Sequence, residues 1–124
     1  MRFISPLALL LAAAIHLLPV SGVLGSDALF KLYRVRFTDP NLIIMMRHRA
    51  VLFAVIAGLM LAACHYDGLR AAAYGAGFVS AGSFVVLALL HPGYSQAIAR
   101  VVYADIVVLV ALSGGLIAQL LRGE

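Results

Sequence analysis

Three groups of side chains in this sequence could do chemistry, and all three sit where polar groups are rare. Arg47, His48 and Arg49 interrupt the apolar run "NLIIMMRHRAVLFAVIAGLMLAAC", residues 41–64. Arg100, Tyr103 and Asp105 fall in "RVVYADIVVLVAL", where Asp105 is the only acid within an apolar helix body. His16 stands near the end of a third apolar stretch, just before "LLPV". An imidazole or carboxylate can take a proton, and a guanidinium beside it can polarise a carbonyl. The chemistry within reach is therefore proton transfer or isomerisation on an apolar substrate, with His16 or Asp105 as base and Arg47 as electrophile. The same residues can also do no chemistry, pairing to clamp helices or meeting lipid phosphates.

Other chemistries lack their residues. The one cysteine, Cys64, excludes an internal disulfide and any multi-cysteine metal site, and at the end of an apolar helix it reads as a small buried residue. His65 and His91 lie in turns and read as solvated. His16 and His48 stand at similar depth, but no second pair or attachment motif accompanies them, so haem is not expected. No spaced cluster of histidines and acids suggests a metal site.

The elements that must position these groups are membrane helices. Of the 124 residues, 65% are hydrophobic and only 11% charged, and the mean hydropathy is +1.09. A soluble domain is nearer 45–50% apolar, with about a quarter of its residues charged. The net charge of +4 does not form a soluble basic face, because the basic residues gather at the ends of apolar segments, where snorkelling and the positive-inside bias place them. Nucleic acid is not an expected partner.

Crossing a hydrocarbon core of about 30 Å takes roughly 20 residues, and the chain divides into four such helices at about 3–24, 40–64, 69–90 and 96–121. The first has a weak basic start, a stretch too long for an ordinary signal core and no A-x-A cleavage site, and reads as a retained helix. Pro6 falls in its opening turn, and Pro19 should kink or end it. Thr38 or Asp39 can cap the second, with Pro40 at its first position. "HYDG" and "HPGYS" break the chain before the third and fourth. Short hairpins make consecutive helices antiparallel neighbours. The expected fold is an all-α integral membrane domain spanning residues 1–124, a four-transmembrane-helix up-down bundle. Small residues at four-residue spacing (Ala54, Gly58, Ala62; Ala73, Gly77, Ala81; Ala111, Gly115) are expected to form the packing faces.

One membrane side then carries Lys31, Arg34, Arg36, Arg47, Arg49 and Arg100, and the other Arg2, Arg70 and Arg122, which puts both ends of the chain outside the cytoplasm. Arg47 is seven residues past Pro40 and Asp105 nine past Gln96, so their depths agree to within about 3 Å at 1.5 Å per residue. Arg47 shares a helical face with Ala50, Ala54, Gly58 and Ala62 and is expected to point into the bundle and pair with Asp105. His48 and Arg49 are expected to reach up to headgroups.

Three segments, "IHLLPVSGVLGSDALFKLYRV", "DPNLIIMMRHRAVLFAVIAG" and "RVVYADIVVLVAL", resemble a group of small bacterial four-helix membrane proteins that are DoxX-like in outline. The residues that carry the resemblance are His16, Tyr33, Arg47-His48-Arg49, and Arg100 with Asp105. It implies a bacterial inner-membrane location and the four-span fold, with no particular activity. Members of that group can carry the name phosphopantetheine adenylyltransferase. That chemistry needs an H-x-G-H-type phosphate-binding motif in a soluble α/β nucleotide site, whereas "HPGY" here ends in Tyr94 and sits in a membrane hairpin. The activity is therefore rejected.

Three function classes follow. The first is a structural, accessory or lipid-interacting protein, in a homo-oligomer or a larger membrane complex, whose polar layer clamps the bundle. The second is binding of an amphipathic molecule, a quinone or lipid, in a pocket at that layer within a redox complex. The third is the isomerase-type enzyme outlined above.

Overall fold

The computed structural model describes residues 3–121; Arg2 and Arg122, which entered the charge comparison, lie outside them. The described chain is helical throughout apart from short connections: α1 (Ile4–Leu17), continued by a 3-10 segment (Leu18–Leu24), then α2 (Ser26–Tyr33), α3 (Pro40–His65), a 3-10 turn (Asp67–Leu69), α4 (Arg70–Leu90) and α5 (Gln96–Leu121). Four spans, Ile4–Leu24, Pro40–His65, Asp67–Leu90 and Gln96–Leu121, are long and apolar enough to cross a membrane.

The boundaries follow local rules. Asp39 accepts a hydrogen bond from the Asn41 amide at 2.9 Å, with Pro40 beginning α3, because an N-cap carboxylate satisfies an amide that has no helical partner. Pro19 stands where α1 tightens into the 3-10 segment, having no amide to give to a continuing α-helix.

In the bundle α1 packs against α3 and α5, and α4 against the same two helices. Ser5, at the start of α1, bonds Gln119 near the end of α5, and Pro6 accepts from Cys64 at the end of α3, so α1 runs antiparallel to both. The core is built of Leu9, Ala12, Ala57, Met60, Val108 and Leu112 with their buried neighbours. On α4 the expected stripe Ala73, Gly77 and Ala81 is fully buried. On α3 it is not. The buried line there is Ala50, Ala57, Met60 and Ala63, while Gly58 is exposed.

The connection between the first two expected spans, residues 25–39, contains the short helix α2. Leu29 and Tyr33, one turn apart on it, are buried. Leu29 lies so close to Gly22 that a Cβ there would come within 2.8 Å of its side chain. This small residue lets α2 seat against the 3-10 segment as a cover over one end of the bundle.

Candidate functional site

The polar residues singled out in the sequence part into two sets. His16, in the last turn of α1, is buried. Its Nδ1 lies 2.9 Å from the Ala12 carbonyl, which can only accept, so Nδ1 carries a proton. In the neutral ring Nε2 then accepts the hydroxyl of Ser80 on α4, 3.0 Å away. The ring also tilts against Phe53, with centroids 5.5 Å apart.

Arg49 is half-buried and donates from Nη1 to the Tyr33 hydroxyl. Its guanidinium sits 4.6 Å from the centre of the Phe53 ring, 5.3 Å from Phe84 and 5.4 Å from Tyr33. Three ring faces around one cation stabilise it away from water. Asp105 is 7% exposed. It accepts no hydrogen bond and forms no ion pair within the described chain.

The remaining residues are exposed. Arg47 is exposed, and its Nε donates to the Val23 carbonyl at 2.7 Å, tying α3 to the 3-10 segment. The expected pair between Arg47 and Asp105 is therefore not formed. Arg49, expected among the headgroups, occupies the inner position. The cause is the rotation of α3: with Ala57, Met60 and Ala63 at the core, Phe53 and Arg49 turn inward and Arg47 turns out. His48 and Arg100 are exposed, as is Tyr103 at 66%.

Between α1, α2 and α5, with Phe53 of α3 as one wall, lies a cavity of about 170 Å³. Its polar lining is His16, Tyr33, Arg100 and Asp105; the rest is apolar, including Ile15, Pro19 and Val101. Asp105 lies five residues farther along α5 than Arg100, about 7.5 Å deeper at 1.5 Å per residue. A more open groove of about 450 Å³ separates α3 from α4, where Arg49, Ser80 and Phe84 line it. Phe53 borders both spaces.

No family model, curated protein or solved structure matches this chain. Its site must be judged on its own geometry.

That geometry does not bring Arg47 together with His16 or Asp105. Arg47 bonds a backbone carbonyl and does not line the cavity, and the acceptor nitrogen of His16 is engaged by Ser80. What stays open toward the cavity is a carboxylate among apolar walls. Ser80, Phe53 and Phe84 were not singled out from sequence. A serine or phenylalanine within an apolar helix gives no local signal, and only the packing of α4 against α1 and α3 selects these three.

Proposed function

We propose that this chain is a multi-pass protein of a bacterial inner membrane that binds an amphipathic small molecule, a lipid or a quinone, in the cavity beside Asp105. The observation that carries this reading is a nearly buried carboxylate facing an apolar cavity at one end of the bundle. Ligand sites are typically concave and apolar with a few placed polar groups. Ionisable groups inside membrane segments are functional by default. The likeness of "DPNLIIMMRHRAVLFAVIAG" and its companion segments to DoxX-like proteins supports a place in a redox complex, as a subunit rather than a complete enzyme. The excess of Lys31, Arg34, Arg36 and the helix-end arginines on one side supports an orientation with both ends of the chain in the periplasm.

A structural or accessory role is the second reading. It is favoured by the exposed basic residues at the cavity end, Lys31, Arg34, Arg36, Arg47 and Arg100, which are placed to meet lipid phosphates, with the protein acting inside a homo-oligomer or larger complex.

Mass spectrometry of gently extracted protein separates the two. Ala97 and Ala104 of α5 also line the cavity, and the binding reading expects a copurifying lipid or quinone that is depleted when Ala104→Phe fills it. Protein that carries the same lipids whether or not the cavity is filled would leave only the accessory role.

A further inference from the structure

Within the described chain the buried polar and charged side chains are Ser5, His16, Arg70 and Asp105. Ser5 bonds Tyr74 at 2.6 Å and Gln119 at 3.0 Å. His16 bonds Ala12 and Ser80. Arg70 donates to the Ala63 carbonyl at 3.2 Å and pairs with Asp67 at 3.2 Å. Asp105 is the exception. No fully buried side-chain oxygen in the described chain lacks a partner, so the Asp105 oxygens keep surface open to the cavity that the residue lines. A carboxylate held mostly among apolar walls without a donor is costly. Of the polar groups around it, His16 is taken by Ala12 and Ser80, the Arg49 guanidinium donates to Tyr33, and Arg100 lines the same cavity without pairing with it.

We infer that the cavity selects a neutral amphiphile with a hydroxyl head, a phenol or alcohol on a ring-sized apolar body, whose hydroxyl donates to Asp105. This rests on the reading of the cavity as a binding site and names what it takes.

Size, charge and hydrogen bonding each constrain the ligand. A dry apolar cavity of about 150 Å³ binds benzene, so about 170 Å³ holds one six-membered ring with a short substituent. The walls provided by Ile15, Pro19, Phe53 and Val101 offer such a ring apolar contact. A positive charge already lines the same space, that of Arg100, and a cationic head would meet it. Asp105 therefore needs a hydrogen-bond donor, and a hydroxyl supplies one without adding charge. A molecule that only accepts leaves the carboxylate as it is.

The test uses the full chain in phosphatidylcholine nanodiscs. It is titrated with 4-propylphenol, its methyl ether 4-propylanisole, and 4-propylbenzylammonium, following the rise in melting temperature with concentration. The phenol should bind the wild type about tenfold or more tightly than the ether, as a hydrogen bond to a charged group implies. Asp105→Leu should make phenol and ether equal. Ala104→Phe should abolish both, and Ala97→Phe serves if that variant does not fold.

Ether binding as tightly as phenol, with both lost on filling the cavity, would overturn the hydroxyl selection and leave the binding site standing. Tightest binding by the ammonium would overturn it in favour of a cation. Absence of saturable binding by any probe, or binding that filling the cavity does not change, would overturn the binding site itself.

Discussion

At the end of the bundle where α1 begins, Ser5 bonds both Tyr74 and Gln119, linking three helices, and Arg70 closes onto Ala63 and Asp67. At the other end, where α1 finishes, His16 is satisfied but Asp105 faces a cavity without a partner. Both ends bury polar groups in apolar surroundings. The first end spends them on its own cohesion, and backbones there approach closely enough that Gly115 lies against Ala8 and Tyr74. The second leaves space and an acceptor. Polarity inside a membrane bundle is therefore not itself the mark of a site. The mark is polarity that the chain does not satisfy for itself.

If the first end is a packed clamp, disturbing it should have the largest effect. A Cβ at Gly115 would lie 2.5 Å from the Tyr74 hydroxyl oxygen and 2.7 Å from the Ala8 Cβ, with the Ser5 backbone behind. Gly115→Val should cost about 1–3 kcal/mol, as overpacking does, and lower the melting temperature in detergent. Gly114→Val, where a Cβ meets nothing within 4 Å, is the control and should leave it unchanged. Equal behaviour of the two would remove the contrast between the ends.

Tyr74→Phe should have a smaller effect. It takes one hydrogen bond from Ser5, which keeps Gln119, and interhelical bonds of this kind average about 0.6 kcal/mol. A loss near zero in thermal unfolding would mean that shape, rather than hydrogen bonding, closes this end. The smallest effect is expected between Arg47 and Asp105. Because the two do not meet, the stability changes of Arg47→Gln and Asp105→Asn should add within about 0.3–0.5 kcal/mol. Recovery of stability in the double variant would show that they form a clamp after all.

Much of this architecture could be read from the sequence, and the limits have physical causes. The span ends coincide with prolines, glycines and an Asp39 cap, which act locally, so they were legible to within a few residues. The packing stripe on α4 was legible because small residues are needed wherever backbones approach. The same reasoning failed on α3, since a small residue can also face outward, as Gly58 does. That one choice of face exchanged the roles of Arg47 and Arg49. Helical spacing puts Arg49 on one face with Phe53, Ile56 and Met60, but which face turns inward is decided by neighbouring helices. The α2 helix was missed because eight residues are too few for a clear period, although Leu29 and Tyr33 at a four-residue spacing carried the signal. The cavity and Ser80 could not be foreseen, because they exist only between helices.

The central claim is that Asp105 is held for a ligand and not for the fold. The melting temperature of ligand-free Asp105→Leu in a mild detergent tests it most directly. Replacing an unpartnered carboxylate among apolar walls removes a cost of the order of 2.5–3.5 kcal/mol on insertion scales. The variant should therefore melt at or above the wild-type temperature. A fall comparable to that of Gly115→Val would mean that Asp105 holds the bundle together, and would contradict the account.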